Sequence, residues 1–254
     1  MFSVNFPPTP ANENLFKKDN SKLLDDKKQK AFHTFVAKGL FLCKRARPAI
    51  QPTIAILCTR VKDSNEGDWK KLVRLMKYLN GTKDLVLRLS ADGINVMKWY
   101  VDASFAVHPD FRSHTGVTMT MGKGAVVSQS MKQKINTCSS TEAELVGVDD
   151  AMKMMLWTQH FLEAQGYKVK NELLQDNKST IQLAKNGKKS SSKRTRHMNI
   201  RYFFITDQIE NGKVQVKYCP TDKMMADFMS KPLQGSKFDA FKNLIMNNAA
   251  YEPH

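Results

Sequence analysis

Four carboxylates in this sequence of 254 residues stand where the local pattern changes. Asp102 interrupts the otherwise apolar run from Val96 to Phe105. Glu144 lies in the opening turn of a long amphipathic stretch, Asp176 ends a short strand-like run, and Asp227 opens a later helical one. An acid in the middle of a buried strand is costly unless something cationic pairs with it. Carboxylates that converge at strand ends and helix starts are what two Mg²⁺ ions need. Mg²⁺ takes hard oxygen ligands and leaves its remaining positions to water and substrate phosphate.

A second feature points to the same substrate chemistry. Lys178 to Arg201 carries Lys178, Lys185, Lys188, Lys189, Lys193, Arg194, Arg196 and Arg201 with no acid among them. Such a run alone reads as a solvated face. Beside a phosphodiester site it reads as a groove for a nucleic-acid backbone, because neutralising phosphates releases counterions. His197 lies within it, either as a structural side chain or as a candidate proton shuttle near a leaving group.

The elements that must position these groups follow from periodicity. Asp25 to Ala46 and Asn65 to Leu79 carry apolar residues at helical spacing, the second stopped by Asn80-Gly81. Pro48 and Pro52 bracket a turn into an apolar helix or strand, and Leu85 to Leu89 reads as a short strand. Val96 to Phe105, Gly116 to Met121 and Ala125 to Ser130 form a three-stranded antiparallel meander with Gly122 and Gly124 between the last two. Ser139 to Ala164 reads as a long helix. Ser139/Glu142 and Thr141/Glu144 both have the spacing of a capping box. Glu172–Gln175 is a fourth strand, followed by a short helix through Ala184. A basic helix Lys193–Ile209, a fifth strand Lys213–Tyr218, and helices Met224–Met229 and Phe238–Met246 complete the order. Strands and helices in that order predict an α/β fold, a mixed five-stranded sheet with flanking helices behind a small, mainly helical segment. The expected division is a loose tail over 1–24, the helical segment over 25–92, the sheet domain over 93–247 and a short tail over 248–254.

Composition narrows the function. Lys and Arg number 40 against 24 Asp and Glu, a net charge of +16, which favours a polyanionic partner. Hydrophobic residues at 41% and only 12 glycines exclude collagen-like or wholly disordered chains. No apolar stretch approaches the ~20 residues that span a bilayer, and no secretory leader is evident. Cys43, Cys58, Cys138 and Cys219 lack the spacing of a zinc site or a disulfide framework and read as free thiols in a reducing compartment.

Several ordered motifs carry a resemblance. Tyr100-Val101-Asp102-Ala103-Ser104, Arg112-Ser113 with Thr115-Gly116, Ser139-Ser140-Thr141-Glu142-Ala143-Glu144-Leu145 and Asp176-Asn177-Lys178-Ser179 come first. Arg194 to Tyr202 and Ala226-Asp227-Phe228-Met229-Ser230-Lys231-Pro232-Leu233 follow. Together they resemble the ribonuclease H domain of Ty1/copia-type retrotransposon polyproteins. Arg47-Pro48 and Trp69 to Thr82 resemble the connection segment that joins reverse transcriptase to that domain.

The resemblance implies a ribonuclease H-like fold and hydrolysis of the RNA strand of an RNA–DNA hybrid. Its four metal-binding acids fall on Asp102, Glu144, Asp176 and Asp227, with two Mg²⁺ as cofactor and Mn²⁺ as a substitute. Within Thr-Glu-Ala-Glu, the family pattern places the metal-binding acid just before Leu145-Val146, which selects Glu144 and leaves Glu142 a capping role. Cleaving RNA requires sensing a 2′-hydroxyl through the wide minor groove. Ser139, Ser140 and Thr141 are placed for that or for helix capping, and Lys188, Lys189, Lys193, Arg194 and Arg196 for the backbone.

Two positions depart from the family. Ser104 stands where a second acid is often found, and Ala49 where an acid usually follows Arg-Pro. The aspartate pair of a polymerase is absent, so the chain is expected to need the polymerase portion of the same polyprotein as a partner and not to copy nucleic acid alone. It reads as the tail of a polyprotein, residing in a cytoplasmic particle or the nucleus. Two competing readings are a catalytically idle hybrid-binding remnant and a strand transferase of the related integrase fold. The latter fits the four-acid order and Ser-Ser-Thr-Glu-Ala-Glu poorly.

Overall fold

The computed structural model describes residues 6–93, 95–187 and 199–248, with the side chains of 199–202 left aside. Three helices come first: α1 (Asp26–Arg45), α2 (Gln51–Cys58) and α3 (Glu66–Gly81). Each begins as its sequence dictates. Asp25 caps α1 by accepting from the Lys28 N–H, and Pro52 sits in the first turn of α2. Asn65 and Asp68 form a reciprocal capping box on α3.

A five-stranded sheet follows, β1 (Val96–Ser104), β2 (His114–Thr120), β3 (Val127–Lys132), β4 (Lys170–Gln175) and β5 (Val214–Tyr218), in the spatial order β3-β2-β1-β4-β5, with a separate two-residue pairing of Ser90–Ala91 and Gly122–Lys123 beside it. The first three make the expected antiparallel meander, and β4 and β5 run parallel to β1. Parallel neighbours need long crossovers. These are α4 (Ser140–Ala164) between β3 and β4, and α5 (Lys178–Asn186) with α6 (Asn199–Glu210) between β4 and β5. One-turn α7 (Asp227–Ser230) and α8 (Gly235–Met246) close the chain. This is the ribonuclease H-like mixed sheet with flanking helices that the resemblance implied.

Two apolar cores hold the elements. One lies between the sheet and its crossover helices, around Trp99, Val101, Leu145, Met152 and Leu173. The other joins the N-terminal helices to the chain's end: Phe32, Ile54, Leu72 and Tyr78 pack with Phe228, Met229, Phe238 and Phe241. The helical segment therefore shares its core with α7 and α8.

Three expectations need correction. Residues 6–24 are not a loose tail: Leu15 and Phe16 are buried with Ile56 and Val107, Arg74 donates to Thr9, and Lys71 donates to Leu15 and Lys17 carbonyls. Two apolar side chains in a polar segment were enough to seat it. Leu85–Leu89 is not a strand, since no neighbouring strand pairs with it. It lies against the second core through Leu85 and Leu87, and Arg88 N–H bonds the Met246 carbonyl at 3.0 Å. The helix expected over Met224–Met229 is a 3₁₀ turn, Thr221–Lys223, and then the single turn of α7. Of the basic helix expected over Lys193–Ile209, residues 193–198 lie outside the described residues, and 199–209 are helical within α6 (Asn199–Glu210). Among the described residues, no helix is long and apolar enough to cross a membrane.

Candidate active site

Asp102 lies on β1 directly across from Gly116 on β2. Gly116 decides what can reach it. A Cβ there would stand 2.5 Å from the Ala226 carbonyl oxygen and 2.8 Å from the Ser230 nitrogen, so only glycine lets α7 settle on the sheet. That approach places the Ser230 hydroxyl on Asp102, to which it donates, and brings Asp227 to the same point. Ser104, where the family often has an acid, donates to the Ser230 carbonyl at 2.9 Å and ties β1 to α7.

Asp176 follows the last residue of β4. One oxygen each from Asp102, Asp176 and Asp227 lie within 4.8 Å of one another. Asp102 and Asp227 are buried, at 2% and 1% exposure, and Asp176 is half-buried with Thr221 Oγ1 donating to it at 2.9 Å. Glu144 is not in this triad but adjoins it. Fully buried Gln175 donates to Glu144 Oε2 at 3.2 Å and accepts from the Asp176 and Asn177 N–H groups at 2.8 and 3.0 Å. One amide thus fixes both the fourth acid and the loop that carries the third.

Glu142 and Glu144 are both buried but face different tasks. Glu142 Oε2 accepts from the Cys138 N–H at 2.6 Å, and the Ser139 hydroxyl accepts from the Glu142 N–H at 3.1 Å, so Glu142 helps cap α4. Ser139 and Ser140 are exposed at the start of α4 and Thr141 is half-buried. Lys188, Lys189, Lys193, Arg194, Arg196 and His197 lie outside the described residues. Of the basic stretch, Lys178 lies over the Tyr218 ring at 5.2 Å.

Electrostatics mark the cluster. Burial, and then the charge of Asp102, push the Glu144 carboxyl well above the ordinary carboxylate range. Asp102 is also raised, chiefly by burial and by Asp227, against the pull of Lys231. Lys231 Nζ stands 2.6 Å from Asp227 and 3.3 Å from Asp102, and Lys237 Nζ 2.7 Å from Asp227. Although burial opposes it, the charges of Asp102 and Asp227 raise the Lys231 ammonium. Sequence reasoning gave no role to Ser230, Lys231, Lys237 or Gln175. Ser230 and Lys231 stand inside a quoted motif, so a signal existed for two of the four.

The donors suit a divalent ion. All are hard carboxylate oxygens, and ligands on one Mg²⁺ at ~2.0–2.1 Å stand roughly 3–4 Å apart. Oxygens within 4.8 Å of one another close on an ion with small side-chain shifts.

No protein-family model matches the chain. In sequence it is 29% identical over 201 residues to the retrovirus-related Pol polyprotein from transposon TNT 1-94 of Nicotiana tabacum, covering 78% of this chain and 15% of that protein. The Pol polyprotein from transposon RE1 of Arabidopsis thaliana is 29% identical over 202 residues, covering 78% of this chain and 14% of the polyprotein. The Ty1-NL2 Gag-Pol polyprotein of Saccharomyces cerevisiae is 27% identical over 143 residues, or 56% of this chain and 8% of that one. Its homologues are Pol polyproteins of Ty1/copia-type transposons.

The chain spans about 15% of the length of the first of these relatives. Solved structures with detectable likeness include LC11-RNase H1, at 14% identity and a TM-score of 0.38 over 62% of this chain and 99% of that one. Another is native prototype foamy virus protease-reverse transcriptase, at 12% and 0.36 over 92% and 34%. The chain is thus similar in sequence to part of these Pol polyproteins, and its sheet runs in the order β3-β2-β1-β4-β5.

Proposed function

We propose that the chain is a metal-dependent endonuclease that hydrolyses the RNA strand of RNA–DNA hybrids. The observation that carries this is the convergence of Asp102, Asp176 and Asp227, drawn from a strand, a loop and a helix, with Glu144 held beside them. The four acids are proposed as the ligand set for Mg²⁺, with Mn²⁺ as a substitute. Bound there, divalent ions supply Lewis acidity to the scissile phosphodiester.

The chain's own groups do the positioning. Ser230 orients Asp102, and Gln175 fixes Glu144 and the Asp176 loop. Ser139, Ser140 and Thr141 at the start of α4 are proposed to meet the minor groove, where the 2′-hydroxyl distinguishes RNA. The basic residues from Lys178 to Arg201 are proposed to hold the backbone. As part of a polyprotein, the domain would receive its hybrid from the polymerase portion. A cytoplasmic particle or the nucleus is proposed as its location.

One observation favours the idle hybrid-binding alternative: lysines already neutralise Asp227. Cleavage separates the two readings. Wild-type chain with Mg²⁺ is expected to cut the RNA strand of a labelled hybrid and to leave duplex DNA intact. Ca²⁺ should not support cleavage, because its larger and looser shell misplaces the attacking water. Asp102→Asn should bind hybrid and reduce cleavage at least about a hundredfold by weakening the ligand set. Binding without cleavage above the Asp102→Asn background would leave the idle module standing.

A further inference from the structure

Two aspartates of the proposed site, Asp102 and Asp227, do not face open water. Lys231 is the residue after α7, where its N–H bonds the Asp227 carbonyl at 3.0 Å. Its side chain turns back so that Nζ contacts both Asp227, at 2.6 Å, and Asp102, at 3.3 Å. The two carboxylates are 1% and 3% exposed at the side chain, whereas the lysine is 38% exposed. The lysine is thus part-exposed, while its head reaches two buried carboxylates. Lys237 differs, because among the described acids it pairs with Asp227 alone.

The ammonium of Lys231 bridges two of the three acids whose oxygens gather within 4.8 Å. A divalent ion ligated by Asp102 and Asp227 needs those same two carboxylates. Two cations held at about 3–4 Å in a poorly hydrated pocket repel strongly, so they exclude one another. Lys231 can leave without disturbing α7. The backbone stays anchored by its bond to Asp227, and rotation of the part-exposed side chain about its own bonds returns the head to water.

We propose that Lys231 is a tethered competitor for the divalent ion: it neutralises the Asp102–Asp227 pair, is displaced when the ion binds, and so sets the metal concentration at which the site loads. The inference rests on the metal-site reading above and adds a regulatory element to it. A simple structural ion pair would behave differently, since losing it would loosen the site and weaken the metal.

Calorimetric titration of Mn²⁺ into the full chain tests this. Lys231→Gln keeps the length and removes the charge, and it should bind Mn²⁺ roughly tenfold more tightly than wild type. Lys231→Arg keeps the competitor and should bind no more tightly than wild type. Asp102→Asn should abolish the specific heat in either background. Equal or weaker binding by Lys231→Gln, with Asp102-dependent binding intact in wild type, overturns the competitor and leaves the site reading untouched. Absence of any Asp102-dependent binding in both chains overturns the site reading and the competitor with it.

A measurement on wild type covers the case in which Lys231→Gln does not fold. In chain labelled with ¹⁵N-lysine, the protected Nζ signal that Lys231→Arg removes should be lost or shifted to a solvent-exposed position on adding Mg²⁺. Its persistence at saturating Mg²⁺ overturns the proposal.

Discussion

At the scale of single residues, burial of polar groups without solvent is what distinguishes this chain, and the acids are not its only instance. His108 Nε2 and His114 Nδ1 share a hydrogen bond at 3.0 Å, His114 Nε2 meets Ser130 Oγ at 2.7 Å, and Phe16 lies edge-on to both rings. Burial lowers His108 to about 4, helped by Lys132, Arg60 and Arg112 and opposed by Asp110. Burial and then His108 lower His114 to about 3. The unfolded chain takes protons on both near 6.5, and the folded chain does not until far lower pH. The stability these groups contribute is therefore whole above pH 6.5 and is lost as pH falls toward about 4 for His108 and about 3 for His114. At pH 5 the loss is about 2 kcal/mol for each imidazole. Urea unfolding of wild type and of a His108→Gln/His114→Gln chain between pH 7 and 5 checks this: the double variant should show the shallower pH slope, and parallel slopes would contradict it. Residue-level legibility was uneven. Asp102 was readable because an acid in an apolar strand demands an explanation, whereas Lys237 has no local pattern that announces it, since its partner lies a turn and a loop away.

At the scale of elements, the site depends on how closely a one-turn helix can approach a sheet. β2 carries Gly116 opposite Asp102, and α7 occupies the space that a side chain would fill. Gly116→Ala should force α7 outward, separating Asp227 and Ser230 from Asp102. The expected result is a destabilisation of about 1–3 kcal/mol from overpacking and a loss of metal binding far greater than that stability change alone would cause. Denaturant unfolding with Mn²⁺ titration of the folded variant would show both effects, and unchanged metal affinity would refute the role given to Gly116. Most elements were legible from local pattern: β1 alternates over its first half, α4 repeats at helical spacing, and Ser139 caps it. Leu85–Leu89 misled for a physical reason. Alternation marks a half-buried extended chain, and whether it becomes a strand depends on a neighbour that the local sequence does not contain. The start of α7 was displaced for a related reason, because tertiary packing against β2 sets where that single turn begins.

At the scale of the whole molecule, two cores and one charge imbalance define the chain. The sheet core positions Asp102, Glu144 and Asp176, while Phe228 and Met229 of α7 belong to the core built with the N-terminal helices. The N-terminal helical segment thus supports the helix that carries Asp227, a coupling that no spacing in the sequence discloses because it joins residues near opposite ends of the chain. The net charge of +16 suits a polyanionic substrate, and with cationic residues dispersed over both halves it directs binding more than chemistry. The chemistry is best tested at the ends it leaves. Water attacking phosphorus in line expels the 3′ oxygen, so a hybrid cut by the wild-type chain with Mg²⁺ should yield RNA fragments with 3′-hydroxyl and 5′-phosphate ends, absent with Asp102→Asn. RNA ends carrying 2′,3′-cyclic phosphate, or identical products from wild type and Asp102→Asn, would contradict the account.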